Sequence, residues 1–194
     1  MTYDVPNPMI DRWGNATIDA PKTSVKVLYT MTPENVRLLI TAVSSSRDKA
    51  LISLLADTGA RRSEITNISV WDVDVEHCRI KVLGKGNKEG YLVFGATTQR
   101  LTQEHLRESS SQRSLFGLTS QGLQSMLQRL EKRTGIKCHA HSFRRGFATE
   151  LRRKGLNEMD IAELGRWSSV VMVKRYSRAY TFDDAAARYK PIVD

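Results

Sequence analysis

Apolar positions spaced for helices dominate the chain. Val36, Leu39, Ile40 and Val43 recur at i, i+3, i+4 and i+7, which places them on one helical face. Just before them, Thr32 can accept from the first orphan amides, Pro33 suits the first helical position and Glu34 favours the positive helix end, so a helix is predicted to start there. A second helix is predicted after Ser44-Ser45-Ser46. Its centre, Leu51-Ile52-Ser53-Leu54-Leu55-Ala56, is apolar nearly all round and reads as a segment running through the core. Thr58-Gly59 breaks the pattern, and Ala60-Arg61-Arg62-Ser63-Glu64-Ile65 restarts it as a short helix. The period then switches. Arg79–Leu83 and Tyr91–Phe94 are strand-like runs flanking Gly84-Lys85-Gly86-Asn87-Lys88-Glu89-Gly90, which predicts a hairpin with a glycine-rich, basic tip.

Helical spacing returns with Leu123, Met126, Leu127 and Leu130, capped by Thr119 or Ser120 and ended by Gly135. His141 opens the next helix, Phe143, Phe147 and Leu151 form its stripe, and Gly155 stops it. Asn157 caps another through Ile161 and Leu164, with Asp160 placed to reach back as in a capping box and Gly165 closing it. Phe182, Ala185, Ala186 and Tyr189 make a small amphipathic helix stopped by Pro191. Residues 1–30 hold Pro6, Pro8, Gly14 and Pro21 without a sustained period and read as an extended lead-in or linker. Residues 31–181 read as one domain and 182–194 as a tail. The predicted fold class is mainly α with a small antiparallel β-sheet (α+β).

Composition adds a partner class to this outline. Thirty Lys and Arg against 21 Asp and Glu give a formal charge of +9, which points to a polyanion, with nucleic acid the first candidate and a solvated basic surface the plain alternative. An anionic membrane surface fits less well, because the cations are spread among helical patterns. Cys78 and Cys138 form no cluster with metal-ligand spacing and fit a reducing cytosol. No run of about 18 apolar residues occurs, and the first residues lack the features of a signal peptide, so a cytoplasmic location is expected.

Several side chains stand out for their chemistry. Arg61 follows a glycine turn at a helix start, where a guanidinium can face a phosphate, with Glu64 close enough to orient it; a surface ion pair is the ordinary alternative. Lys85 lies between two glycines at the hairpin tip and can reach into a site to donate a proton, a role for which Lys81 and Lys88 compete. His141 and Arg144 are helical neighbours able to meet one phosphate, and a histidine beside two arginines titrates downward unless an anion is present. Arg145 leaves the helix in another direction, and Arg152, Arg153 and Lys154 read as a solvated or DNA-backbone face. Trp167 offers an indole N–H on an apolar body that core packing would equally explain. Tyr176, surrounded by cations, is the candidate nucleophile, with Tyr180 its rival.

Together these pieces resemble the catalytic domain of the tyrosine recombinase, or phage integrase, family over roughly residues 32–180. Thr58-Gly59-Ala60-Arg61-Arg62-Ser63-Glu64-Ile65 is similar to the family's first motif, Gly84-Lys85-Gly86-Asn87-Lys88 to its hairpin and His141-Ser142-Phe143-Arg144 to its H-x-x-R motif. Leu164-Gly165-Arg166-Trp167 occupies the place of its Leu-Gly-His motif, and Tyr176 follows Trp167 by nine residues. Trp167 stands where histidine is usual, with one residue inserted after the glycine, so Arg166 competes with it as the phosphate donor. The family's N-terminal DNA-clamping domain is not expected in about 30 irregular residues.

The resemblance implies a transesterification on double-stranded DNA that needs no metal or nucleotide cofactor. Tyr176 attacks a phosphate, Arg61, Arg144 and Trp167 hold its oxygens, His141 assists proton transfer and Lys85 protonates the leaving oxygen. It further implies a homotetramer on paired DNA sites, with accessory DNA-bending proteins as further partners and the tail docking in cis or in trans. A type IB topoisomerase and a non-catalytic DNA-binding protein on the same fold stay open as rival readings.

Overall fold

A computed structural model of the chain describes residues 9–10, 16–17, 28–83, 89–109 and 113–191. Within the predicted lead-in, β1 (Met9–Ile10) pairs antiparallel with β2 (Ala16–Thr17). The domain proper begins at α1 (Pro33–Thr41), where Thr32 Oγ1 accepts from the Asn35 amide at 3.3 Å and Pro33 takes the first turn, as its sequence predicts. The central helix α2 (Ser46–Thr58) buries Leu51, Ile52, Leu54 and Leu55 completely. It ends at Gly59 with φ +53°, where an added Cβ would also lie 2.7 Å from Phe147 Cδ1, so glycine alone satisfies both the turn and the packing.

After the short α3 (Arg62–Thr66) comes a three-stranded antiparallel sheet of β3 (Val73–Asp74), β4 (Arg79–Leu83) and β5 (Glu89–Val93), in the order β3-β4-β5. Ile80 and Val82 pair with Leu92 and Gly90 and turn their side chains to the core, giving the period of two expected for a half-buried sheet. The second strand starts at Glu89 rather than Tyr91, because Leu83 pairs with Glu89 and extends the ladder towards the tip. Residues 84–88, including Lys85, lie outside the described residues.

The remaining described elements are helices: α4 (Ala96–Glu108), α5 (Ser120–Thr134), α6 (Ala140–Arg153), α7 (Glu158–Gly165), α8 (Val170–Tyr176) and α9 (Phe182–Ala186). One apolar core surrounds α2 and includes Phe143 of α6; a second gathers Phe147, Ile161, Trp167 and Val173 from α6, α7, α8 and the α7–α8 turn. The site lies where the two meet. No described helix is long and apolar enough to cross a membrane.

Two further predicted boundaries, both next to the site, change. His141 does not open α6: Ala140 does, with His139 as the extended residue before it. Gly165 does not close α7 as its left-handed residue. It is the last helical residue, and Arg166 (φ +54°) makes the turn, because Trp167 folds back so closely that a Cβ on Gly165 would lie 2.1 Å from the indole Cζ3.

Candidate active site

The candidate residues meet around a cleft of about 660 Å³ lined by Arg61, His141, Arg144, Trp167 and Tyr176, among others. Helix ends and one turn deliver them. Arg61 is the extended residue before α3, His141 and Arg144 come from the first turn and a half of α6, Trp167 follows α7, and Tyr176 is the last residue of α8. These side chains come together from positions up to 115 residues apart, as the resemblance implies.

Tyr176 Oη lies 3.3 Å from His141 Nδ1, a distance at which the hydroxyl can donate to an unprotonated ring nitrogen. Burial, followed by the charges of Arg145 and Arg144, pushes the His141 pKa down, which favours that unprotonated form. Arg144 is 2 % exposed. It donates to the Gly59 carbonyl at 2.5 Å and the Gly165 carbonyl at 2.6 Å, and its guanidinium stacks 4.1 Å from the centre of the Trp167 ring. Burial, then the neighbouring Arg61 and Arg166, pushes its pKa down to about 10, the response of a cation short of an anion.

Arg61 donates to Glu64 Oε1 at 2.6 Å and to the Arg166 carbonyl at 2.9 Å. Its side chain remains 41 % exposed towards the cleft, whereas that of Glu64 is 3 % exposed. The amide at this helix start is not free, because Arg61 N already donates to Glu64 Oε2 at 2.7 Å. Trp167 is 8 % exposed and its Nε1–H is buried without a partner among the described residues. A buried donor left unpaired costs free energy until an acceptor arrives, a condition that Arg166 Nε shares. Arg166, the competing donor, turns inward: Nη1 donates to the Leu164 carbonyl at 2.8 Å and Nη2 to Glu64 Oε2 at 3.0 Å.

Other expectations are corrected. Tyr180 lies under the Arg152 guanidinium, 4.4 Å from ring centre to Cζ, and is not among the residues lining the cleft. Arg153 and Lys154 are exposed, in keeping with a solvated face, but Arg152 is half-buried and donates to Ser177 Oγ at 3.0 Å, and Arg153 also bridges Glu150 and Asp184 at 2.7 and 2.9 Å. The two arginines tie α6 to the chain beyond Tyr176. Sequence reasoning missed a second groove beyond Tyr176, of about 630 Å³, to which Lys137, Arg145 and Arg175 contribute. The cations crowded between Lys137 and Arg145 were its visible signal. Among the described residues no group of three or more His, Cys, Asp or Glu is arranged to hold a metal ion.

A mainly helical domain with one small sheet, gathering a tyrosine, a histidine and two arginines in one cleft, has the fold of a tyrosine recombinase catalytic domain. The chain belongs to the phage integrase family, whose pattern matches residues 29–181. Tyrosine recombinase XerA of Saccharolobus solfataricus is 30 % identical to it over 156 residues, covering 79 % of this chain and 54 % of that protein. Tyrosine recombinase XerC of Staphylococcus epidermidis is 33 % identical over 146 residues, covering 64 % of this chain and 49 % of that protein. The chain thus spans about half the length of these curated relatives.

The crystal structure of XerA recombinase matches with a TM-score of 0.77 at 24 % identity, over 87 % of this chain and 68 % of that one. A post-cleavage complex of XerH site-specific recombinase bound to palindromic difH substrate matches with a TM-score of 0.71 at 22 % identity, over 90 % and 58 %. At these identities the two structures speak for the fold.

Proposed function

We propose that this chain is the catalytic domain of a site-specific DNA recombinase that cuts and rejoins DNA through a phosphotyrosyl link at Tyr176. The observation that carries the proposal is the convergence on one cleft of the Tyr176–His141 contact, the Arg61 guanidinium and the unpartnered Trp167 N–H. Family membership supports the same reading.

The chemistry then runs as a balanced exchange. Tyr176 Oη passes its proton to His141 Nδ1 and bonds to phosphorus, while the bond from phosphorus to the 5′ oxygen breaks and leaves a 3′-phosphotyrosyl strand. Lys85 supplies the proton that the 5′ oxygen takes up. Arg61 and Trp167 donate to the non-bridging oxygens, and Arg144 adds charge from the cleft floor, the preorganised stabilisation that such a transition state needs. Reversal on another strand rejoins the DNA. Assembly as a tetramer on paired sites belongs to the proposal and is supported by the tail, where Phe182 and Tyr189 are 83 % and 67 % exposed.

The test is a suicide DNA substrate whose cleaved strand cannot be resealed. Tyr176→Phe is expected to bind this DNA and form no covalent adduct, while the unaltered chain forms one mapped to Tyr176. An adduct that survives the substitution, or that depends on Tyr180, overturns the proposal.

A further inference from the structure

We infer that Arg166 is a positioning residue of this site: its backbone carbonyl and its guanidinium hold Arg61 and Glu64 from the side away from the cleft. The inference rests on the reading of the cleft as a phosphodiester site. Arg166 makes the left-handed turn after α7, a conformation disfavoured for any residue with a Cβ. Three contacts hold it there. Its carbonyl accepts from Arg61 Nη2 at 2.9 Å, its Nη1 donates to the Leu164 carbonyl at 2.8 Å and its Nη2 reaches Glu64 Oε2 at 3.0 Å.

The consequence is electrostatic as well as geometric. Among the described residues, Glu64 is the one carboxylate in contact with Arg61 and Arg166, while Arg144 meets only carbonyls. With Arg61 alone, Glu64 would neutralise the guanidinium that has to face a phosphate; sharing the carboxylate with Arg166 leaves Arg61 the stronger cation. Burial pushes the Glu64 carboxyl up, yet the Arg166 charge and hydrogen bond, ahead of the backbone and side-chain hydrogen bonds from Arg61, bring it below its ordinary value. The same side chain packs towards the hairpin: a Cβ on Gly90 of β5 would lie 3.4 Å from Arg166 Cδ. Arg166 therefore joins α3, the α7–α8 turn and the strand leaving the Lys85 tip.

Arg166→Gly isolates the guanidinium, because glycine keeps the carbonyl and takes the left-handed turn without strain. At saturating suicide substrate, this variant is expected to cleave roughly 10- to 100-fold more slowly than the unaltered chain, with DNA affinity little changed and the domain, though less stable without the partner of Glu64, still folded at the assay temperature. Arg166→Lys, which restores a cation beside Glu64, should recover part of the rate. Cleavage by Arg166→Gly at the unaltered rate, or a loss that tracks DNA affinity or unfolding at the assay temperature and is not relieved by lysine, overturns the inference. If the unaltered chain forms no adduct, the reading of Tyr176 fails instead. Stabilisation of the protein by inorganic phosphate then decides on Arg166: a clearly smaller shift in Arg166→Gly supports its role, whereas an equal shift, or none in either protein, overturns it.

Discussion

At the scale of single residues, the candidate site collects groups whose surroundings leave something unsatisfied. Trp167 keeps an indole N–H without a partner, and Arg144 is a buried cation bonded to carbonyls in place of an anion. Placing Trp167 requires Gly165, since any side chain there would enter the indole. Gly165→Ala is therefore expected to destabilise the domain by about 1–3 kcal/mol and to abolish cleavage, readable by thermal denaturation beside the adduct assay. Glu64 makes a pH prediction. Its carboxyl is depressed in the folded chain through Arg166 and Arg61, with Arg144 also facing it, despite a burial that pushes it up. A depressed carboxyl contributes stability that is present above its unfolded pKa and is lost as pH falls through the folded value. Glu64→Gln should thus be less stable than the unaltered chain at neutral pH, with the gap narrowing on acidification. A gap that widens in acid would contradict this. Arg61, His141, Arg144, Trp167 and Tyr176 were legible as a set because each sits in a short local motif; the role of Arg166 was not, because it depends on Glu64, 102 positions away.

At the scale of elements, legibility depended on whether local signals agreed. In α5, the Thr119 cap, the buried Leu123, Met126, Leu127 and Leu130 and the left-handed Gly135 all point to one helix, and the structure has it. Helix α4 escaped notice because its buried face includes Thr98, Thr102 and His105, polar residues that periodicity discards. Tertiary partners satisfy two of them: Thr98 Oγ1 meets Ser53 Oγ at 2.5 Å, and His105 Nε2 lies 2.6 Å from the Leu115 carbonyl. Helix α8 escaped because only Val173 is buried in its seven residues. The tail helix is shorter than its pattern suggested and buries nothing; it is fastened by Asp184 to Arg153 rather than by its apolar side chains. Removing residues 182–194 is therefore expected to leave the monomer folded and to weaken assembly on paired DNA sites in sedimentation; unchanged assembly would count against docking in trans. For the hairpin, Lys85→Ala should slow cleavage, and a substrate with a better 5′ leaving group should restore the rate, as for a lost proton donor. A defect that persists with that substrate would exclude the role.

At the scale of the whole molecule, the charge of +9 gains a direction. Its cations are not uniform: many are spent on internal ties, such as Arg152 and Arg153 with Glu158 and Asp184, or Arg166 with Glu64. Lys137, Arg145 and Arg175, which form no ion pair among the described residues, flank Tyr176. The candidate cleft and the groove lined by Lys137, Arg145 and Arg175 share His139, His141, Met172 and Tyr176, so the proposed nucleophile stands on the divide between two basic channels. A DNA strand crossing that divide would place one phosphate at Tyr176 and the next ones over Lys137 and Arg175. Each neutralised phosphate releases counterions, and its loss flattens the dependence of binding on salt. Lys137→Ala and Arg175→Ala are each expected to reduce the slope of log K against log salt by about 0.9 on duplex DNA, to weaken binding alike on all sequences and to leave the cleavage rate at saturation intact. Arg100→Ala, whose guanidinium pairs with Glu104 on α4 and lines neither channel, serves as the reference and should leave the slope as it was. If Lys137→Ala and Arg175→Ala match that reference, the strand does not follow the second groove.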